Sequence, residues 1–189
     1  MTRHTTFFKT AVLFFTLALL LLFAADATDT LLRERRERAL FPLAQHASLE
    51  FDVPLSLVLA VLRVESDFDI TAHSRAGAVG PMQLMPETFY YLRDQKQNEA
   101  LPDAALYDAA TNIRYGTYYL SYLFSRFGEE TAVLAAYNAG EGRVGEWLQN
   151  EELTKNNRLT SIPFPETRAY VQRVQSARLS YLQKYQLKE

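Results

Sequence analysis

Apolar and polar residues alternate at helical spacing along most of the chain. Leu55, Val58 and Leu62 lie three and four residues apart, so they share one face of a predicted helix over about 54–65. The same spacing predicts further helices over about 42–51, 86–92, 109–127, 143–149 and 167–186. Residues 131–137 are apolar on every side, which predicts a helix buried in the core. We therefore expect an all-α fold in one domain.

One stretch interrupts this pattern. Residues 67–83 contain Gly77, Gly80 and Pro81 among small polar residues, and neither a strand period nor a helix period runs through them. Long ordered loops in compact domains are often functional. We predict an ordered loop or a short hairpin here, next to the helix that ends near residue 65.

The N-terminus carries the pattern of an export signal. Arg3 and Lys9 precede an uncharged apolar run over residues 10–25, and Ala25-Asp26-Ala27 offers a cleavage site between small residues. The run is short for a membrane span, which needs about 20 residues. We expect a cleaved signal peptide over 1–27; the alternative is an uncleaved signal anchor in the inner membrane.

Both alternatives place the rest of the chain outside the cytoplasm, in the periplasm or cell envelope. The charged residues within 28–40 predict a linker or the start of a helix. Residues 41–189 are numerous enough for one domain with its own core. Contact with a membrane is expected only through the N-terminal segment, if that segment is not cleaved.

Composition narrows the chemistry. The chain has no cysteine, and His4, His46 and His73 are far apart in the sequence. Neither a disulfide nor a metal site is therefore expected, and no cofactor. Lys and Arg number 20 and Asp and Glu number 22, for a net charge of -2. A nucleic-acid-binding domain usually has a basic face, so nucleic acid is not an expected partner.

Glu65 stands where the helical pattern requires an apolar residue, three positions after Leu62 and seven after Val58. It also lies in the last turn, where the helix dipole disfavours an anion. Burial acts in the same direction and raises the pKa of a carboxyl. A carboxyl that is neutral near pH 7 can serve as a general acid. The alternative is a structural Glu65 that pairs with Arg63 or Arg75.

Three further motifs accompany Glu65-Ser66. They are Gly80-Pro81-Met82-Gln83-Leu84-Met85-Pro86, Ala135-Ala136-Tyr137-Asn138-Ala139-Gly140 and Ile162-Pro163-Phe164-Pro165-Glu166-Thr167-Arg168-Ala169-Tyr170. In this order and spacing, residues 41–185 resemble the catalytic domain of the soluble lytic transglycosylases, the SLT family, which has a lysozyme-like fold. The family normally has Leu where this chain has Pro81, and proline removes a backbone donor.

The resemblance implies that the substrate and partner is the glycan strand of bacterial peptidoglycan. Glu65 would protonate the glycosidic oxygen between N-acetylmuramic acid and N-acetylglucosamine. The muramoyl C6 hydroxyl would then close on C1 to give a 1,6-anhydro ring, with deprotonated Glu65 as its base. In this family the substrate's own 2-acetamido group shields C1, so one carboxyl is enough. We accordingly interpret Asp67 and Asp69 as structural residues.

The resemblance also implies a substrate groove. Its residues would be Ser74, Gln83, Met85, Thr88, Tyr137, Asn138, Glu166 and Tyr170. Gln83 would donate hydrogen bonds to sugars and Met85 would make apolar contacts. The Tyr137 hydroxyl would reach Glu65 or the reacting sugar, and Tyr170 would support the wall that carries Glu166.

Several of these residues have a structural alternative. Ser74 could close its own loop, and Thr88 could cap a helix. Asn138 could hold the turn before Gly140. Glu166 could be a favourable negative charge at the start of a helix.

Two other functions fit the same pattern. A lysozyme-type muramidase would admit water to C1 and leave reducing ends. A non-catalytic module would bind glycan strands or a partner in a secretion apparatus, although the intact motifs around Glu65 favour an enzyme. The sequence itself names no protein partner.

Overall fold

The computed structural model describes residues 2–156 and 158–189, and for residues 2–14 the backbone alone. The chain divides into two units, Met1–Ala39 and Leu40–Glu189. The first helix, α1, spans Thr2–Phe51.

The first unit presents apolar side chains to its surroundings. Leu22 and Phe23, for example, are largely exposed. The described stretch Phe15–Phe51 includes a segment that is long and apolar enough to cross a membrane, and a signal sequence near an N-terminus has the same properties. Cleavage after residue 27 stays a prediction.

The start of α1 differs from the sequence prediction. A helix was expected to begin beside Pro42, but α1 runs through this proline. Proline inside a helix lacks the N–H that bonds to the preceding turn, and usually bends or ends the helix. Residues 33–38 are all Arg or Glu, which are good helix formers, so they continue the helix on the N-terminal side of Pro42.

The second unit consists mainly of short and medium helices. After the end of α1 come α2 (Leu55–Ser66), α3 (Pro86–Tyr91), α4 (Ala109–Phe127), α5 (Glu130–Ala139), α6 (Glu141–Trp147) and α7 (Pro165–Tyr185). Two strands, β1 (Thr154–Lys155) and β2 (Arg158–Leu159), pair antiparallel with Thr154 opposite Leu159.

The core lies where α2, α5 and α7 meet. Every residue from 55 to 62 is buried, so both faces of α2 are covered, and α2 packs along α7. Residues 132–136 of α5 are buried as well, and α5 packs against α4 and α7. The predicted buried helix is thus confirmed. The last turn of α2, which carries Glu65, thus lies beside α7, near Tyr170 and Arg173.

The connector after α3 contains two short helical segments. A π-helical turn spans Leu92–Gln97 and a 3₁₀ helix spans Asp103–Tyr107. Arg93 explains the order, because its guanidinium donates to the Leu101 carbonyl at 2.8 Å and to Asp103 at 2.7 Å. This arginine therefore fixes a segment that has no apolar pattern.

Candidate active site

Glu65 lies in the last turn of α2, and an unusual backbone turn ends that helix. Asp67 and Phe68 both adopt left-handed conformations, with φ of 52° and 63°. Their amides donate to the carbonyls of Arg63 at 3.0 Å and Leu62 at 3.3 Å. Two consecutive non-glycine residues in this region are strained, and such strain is often found at functional sites. The buried Phe68 ring anchors the turn.

Burial raises the pKa of the Glu65 carboxyl from an ordinary 4.5 to about 7. The Tyr170 hydroxyl and the charge of Arg173 act in the opposite direction and lower it, but burial outweighs them. Among the described residues Glu65 has no ion pair with Arg63 or Arg75, the pairing that a structural role would require. Near neutral pH this carboxyl is therefore protonated to a substantial degree.

Two tyrosines lie in the electric field of Glu65. Burial raises the pKa of both Tyr137 and Tyr170 well above the ordinary value, and the charge of Glu65 adds to this effect. The Tyr170 hydroxyl is buried and has no hydrogen-bond partner among the described residues. It is close enough to lower the pKa of Glu65 without the geometry of a formed hydrogen bond. Both hydroxyls thus remain protonated beside the carboxyl.

The Tyr137 hydroxyl bonds differently from the expectation. It donates to the backbone carbonyl of Met82 at 2.8 Å, so it holds the loop before α3 and does not bond to Glu65. A buried tyrosine hydroxyl usually has a hydrogen-bond partner, and here that partner is the Met82 carbonyl. The oxygen of Tyr137 can still accept a hydrogen bond from a ligand.

The loop between α2 and α3 is held by isolated backbone pairs. Val79 exchanges both backbone hydrogen bonds with Leu84 at 3.0 Å, and Val79 also forms a bridge with His73. A short hairpin was one of the two expectations for this loop, and the structure shows isolated bridges there. Among the described residues, the paired strands are β1 and β2, in another part of the chain. The loop closes through a turn in which the Gln83 amide donates to the Gly80 carbonyl at 3.0 Å.

Asn112 of α4 fixes this turn from beneath, and sequence reasoning missed it. Its Oδ1 accepts from the Met82 amide at 2.9 Å, and its Nδ2 donates to the carbonyls of Val79 at 2.9 Å and Leu106 at 3.2 Å. The side chain is fully buried. The signal was available, because Asn112 stands on the apolar face of α4, four residues before Gly116, just as Glu65 stands on the apolar face of α2.

Glycine is required at position 80. Its φ is +77°, and a Cβ there would lie 2.5 Å from Nδ2 of Asn112. The next residue, Pro81, is the second residue of the turn, a position that suits proline because the turn's own hydrogen bond does not use that amide. The departure from the family's leucine is therefore compatible with the loop.

A cavity of about 250 Å³ opens between this loop and the end of α5. Five of the predicted substrate residues line it: Gln83, Met85, Thr88, Tyr137 and Asn138. The structure adds four lining residues that the sequence did not single out: Leu84, Tyr119, Ala139 and Gly140. The structure therefore brings together predicted residues from two motifs that are far apart in the chain.

Gln83 sits in this wall with a left-handed backbone, φ 48°. Its side-chain nitrogen donates to the carbonyls of Ala72 at 3.1 Å and Gly80 at 2.9 Å. The amide group is thereby held in place, and its carbonyl oxygen is the part available to a ligand. Thr88 does not cap α3, since Met85 occupies the cap position and Thr88 is the third residue of the helix.

Three predicted substrate residues lie away from the cavity lining: the buried Tyr170 described above, Ser74 and Glu166. The Ser74 hydroxyl accepts from the Ala78 amide at 2.9 Å, so Ser74 closes its own loop, and the residue is exposed. Glu166 is exposed in the first turn of α7, where a negative charge is favourable. Neither is among the described residues that line the cavity.

The two acids after Glu65 have structural roles. Asp69 accepts from the amide and the hydroxyl of Thr71 at 2.9 and 2.8 Å, which forms a local turn. Asp67 ends α2 in its left-handed conformation. No group of three His, Cys, Asp or Glu side chains comes together as metal ligands would in the part of the chain that the structure describes.

A second, larger groove of about 620 Å³ runs along the outer side of α2 and α7. Arg63 and Val64 of α2 and the adjoining Asp67 line one side of it, and the α7 residues that line it include Gln172 and Arg173. Arg173 therefore both lines this groove and lowers the pKa of Glu65 through its charge.

Residues 42–159 match the family model of the Transglycosylase SLT domain. The chain belongs to this family. The soluble lytic murein transglycosylase of Escherichia coli (strain K12) is 39% identical over 127 residues, which make up 65% of this chain and 20% of that protein. This SLT chain therefore spans about a fifth of the length of that relative.

Two further comparisons agree with the family assignment. The membrane-bound lytic murein transglycosylase C of Haemophilus ducreyi is 30% identical over 174 residues, 79% of this chain and 47% of that protein. The solved structure of an inactive Glu-to-Gln mutant of lytic transglycosylase Slt from Pseudomonas aeruginosa aligns with a TM-score of 0.70 at 35% identity, over 78% of this chain and 24% of that one. The expected all-α SLT fold is confirmed.

Proposed function

We propose that this SLT protein is a peptidoglycan lytic transglycosylase. It cleaves the β-1,4 bond between N-acetylmuramic acid and N-acetylglucosamine without adding water, and leaves 1,6-anhydromuramoyl ends. The names of its relatives support the reaction class, since both the Escherichia coli and the Haemophilus ducreyi proteins are called lytic murein transglycosylases.

The observation that carries the proposal is the state of Glu65. A carboxyl with a pKa of about 7 populates both protonation states near neutral pH, which suits a group that must act first as acid and then as base. Glu65 donates its proton to the glycosidic oxygen as the bond to C1 breaks. The resulting carboxylate then takes the proton of the muramoyl C6 hydroxyl as that oxygen bonds to C1. Glu65 is thereby restored to its initial form.

A single carboxyl is sufficient for this sequence of steps. Glycosidases with two carboxyls hold them about 5–5.5 Å apart when they retain configuration and about 6.5–9.5 Å apart when they invert it. Asp67 and Asp69, the nearest acids in sequence, instead end α2 and hold a turn. The 2-acetamido group of the substrate takes over the shielding of C1, and no activated water is needed.

The groove residues would orient the sugar chain at Glu65. Gln83 presents a carbonyl oxygen to sugar hydroxyls, Met85 supplies apolar contact, and Tyr137 and Asn138 form the opposite wall of the cavity. Thr88 adds a hydroxyl to the same cavity. Ser74 and Glu166, which lie outside it, would contact the substrate only where the strand extends over their loop or helix start.

Tyr170 would serve the acid itself. Its buried hydroxyl has no partner among the described residues, and it lowers the pKa of Glu65. A donor in this position stabilises the carboxylate that forms after proton transfer.

We further propose that the protein works in the periplasm or cell envelope. Residues 1–27 would be a signal peptide or an inner-membrane anchor, residues 28–40 a linker, and 41–189 the catalytic domain. The exposed apolar helix near the N-terminus supports export. The relatives include both a protein named soluble and one named membrane-bound. A released protein and a membrane-anchored protein thus each have a counterpart among them.

Mass spectrometry of intact peptidoglycan digested by the purified full chain tests the proposal. The matched variants are Glu65→Gln and, as a control at an exposed position of α6, Glu146→Gln. Anhydromuramoyl products from the unaltered protein and Glu146→Gln, but not from Glu65→Gln, are expected. Reducing muramoyl ends would instead indicate a hydrolase, and no products from any version would indicate a binding module; either result contradicts the proposal.

A further inference from the structure

Two helices that line the cavity carry a tyrosine one turn beyond it. Thr88 on α3 is followed by Tyr91, and Tyr119 on α4 is followed by Tyr122. The Tyr119 and Tyr122 rings are within 15° of parallel, with centroids 6.3 Å apart, and Tyr122 meets Tyr91 at 6.2 Å. Since Tyr119 also contacts Tyr137 at 5.3 Å, a row of four rings leads from the cavity outwards.

The outer end of this row is open to solvent. Tyr91 is 38% exposed and Tyr122 is partly exposed, whereas Tyr119 is 9% exposed. Exposed neighbouring aromatic rings offer apolar faces with a polar rim. A pyranose ring has the matching surface, because its axial C–H groups form an apolar face and its hydroxyls lie at the edge.

Charged groups surround the outer two rings. The ammonium of Lys96 lies 5.3 Å from the ring centres of both Tyr91 and Tyr122. The Arg126 guanidinium donates to the Tyr122 hydroxyl at 3.4 Å. Burial, followed by the contact with Tyr91, raises the pKa of Tyr122 to about 12, so its hydroxyl remains a donor at neutral pH.

Glu141 completes this environment. It directly follows Gly140, one of the cavity-lining residues. Its Oε2 lies 3.3 Å from the Arg126 guanidinium but is buried and accepts no hydrogen bond within the described residues. The ion pair with Arg126 holds this side chain in place, and the side chain is 31% exposed. A sugar hydroxyl or the N–H of an acetamido group can therefore donate to the accessible part of the carboxylate.

We propose that Tyr91, Tyr122 and Glu141 form an additional sugar-binding subsite that continues the cavity and holds a further pyranose of the glycan strand. The inference rests on the proposed function, because it concerns the path of the same strand away from Glu65. Tyr91 and Tyr122 pack against the pyranose face, and Glu141 accepts from its polar edge. A subsite at this distance adds affinity only for strands long enough to reach it.

Oligomers of N-acetylglucosamine of increasing length test this subsite by isothermal titration calorimetry. The full chain in detergent, with Glu65→Gln to prevent turnover, is titrated with each length. The substitutions Tyr91→Ala and Glu141→Gln are then introduced, one at a time, into this Glu65→Gln protein, and each double variant is titrated in the same way. We expect each to weaken binding of the longest oligomer about tenfold, which corresponds to about 1.4 kcal/mol, and to leave the shortest oligomer unchanged.

Tyr90→Ala is the matched control. Tyr90 is the preceding residue on α3 and its ring packs against Phe89 at 5.8 Å, away from the tyrosine row. It should leave binding of every length unchanged. Tyr122→Phe, which keeps the ring, should retain most of the affinity for the longest oligomer.

The outcomes separate the two proposals. If the oligomers bind but Tyr91→Ala weakens short and long ones equally, or weakens neither, the subsite is wrong and the proposed function stands. If no oligomer of any length binds with all tyrosines in place, the glycan site itself is wrong, and the subsite with it.

Discussion

The Ser66 hydroxyl donates a hydrogen bond of 2.7 Å to the carbonyl oxygen of Pro81. Ser66 directly follows Glu65 on α2, and Pro81 lies in the turn that leads to Gln83. This one contact therefore connects the helix that carries the acid with the loop that lines the cavity. It uses the carbonyl of residue 81, not its amide.

Ser66→Ala tests this connection. We expect a loss of about 1 kcal/mol in the free energy of unfolding, because the Pro81 carbonyl loses its donor. We also expect at least a tenfold lower kcat on peptidoglycan, since a small displacement of a catalytic group is costly (~100-fold per Å). Urea denaturation and turnover measurements give the two values.

Pro81→Leu is the control for this prediction. It keeps the carbonyl and restores the residue that the family normally has, so activity should stay within about threefold, with stability changed by about 0.4–1 kcal/mol through the unfolded chain. A decrease in kcat as large as in Ser66→Ala would contradict the role assigned to the carbonyl.

Glu65→Gln should change the pH dependence of stability. The unfolded chain releases this proton near pH 4.5, whereas the folded protein keeps it up to about pH 7, so rising pH destabilises the folded state across this window. The pKa difference corresponds to a penalty on the order of 3 kcal/mol above pH 7. Glutamine has no such penalty.

Thermal unfolding at pH 4 and pH 8 measures this effect. The difference in stability between Glu65→Gln and the unaltered protein should be larger at pH 8 and should favour the variant. The exposed-site control Glu146→Gln should show no such change. Equal differences at both pH values would mean that Glu65 titrates as an ordinary carboxyl.

Arg173→Ala should move the alkaline limb of the activity profile. The charge of Arg173 lowers the pKa of Glu65, so its removal raises that pKa further. A general acid must be protonated, and kcat/KM should therefore persist to higher pH in this variant. Arg173→Lys keeps the charge and should retain the original profile; a shift of the limb to lower pH in Arg173→Ala would refute the assignment.

Gly80→Ala and Gly77→Ala form a matched pair. Both glycines have positive φ, +77° and +93°, but a Cβ at residue 77 meets nothing within 4 Å, whereas one at residue 80 meets the Asn112 side chain at 2.5 Å. Gly77→Ala should cost about 1 kcal/mol from the backbone alone. Gly80→Ala should cost at least about 2 kcal/mol more, because it displaces the buried Asn112 from its hydrogen bonds.

Chemical denaturation of the two variants measures the difference. Equal losses of stability in the two variants would show that the Asn112 side chain can move aside at no cost in stability, and that it does not hold the turn as described.

The sequence predicted that Glu65 is a carboxyl on the apolar face of α2 with a raised pKa. This was possible because a helix has a fixed period, so a charged residue at an apolar position can be recognised from spacing alone. The same argument applied to Asn112 would have revealed the residue that supports the loop. What the period cannot show is where a hydroxyl bonds once helices pack. Tyr137 was expected to reach Glu65 or the sugar, and its partner, the Met82 carbonyl, is 55 residues away in the chain.

The loop between α2 and α3 shows the same limit. Its conformation depends on the turn at Gly80, on Asn112 from another helix and on the Ser66 hydroxyl, and no local pattern encodes these contacts. The start of α3 at Pro86 agrees with the sequence prediction, and it excludes the cap role considered for Thr88, which is the third residue of the helix. Proline marks the start of α3 but not of α1, which runs through Pro42. Which side chain faces a cavity depends on the neighbouring helix.

The buried Tyr170 hydroxyl can stabilise the negative charge that Glu65 carries during part of a reaction cycle. In the proposed cycle the carboxyl is neutral, then negative, then neutral again, and the negative state is short-lived. A hydroxyl without an existing partner among the described residues breaks no bond when it turns towards that charge, so the reorganisation energy of the step is small. The Tyr170 hydroxyl thus stabilises the transient carboxylate as a water molecule would in solution, but from a fixed position in a site from which bulk water is largely excluded.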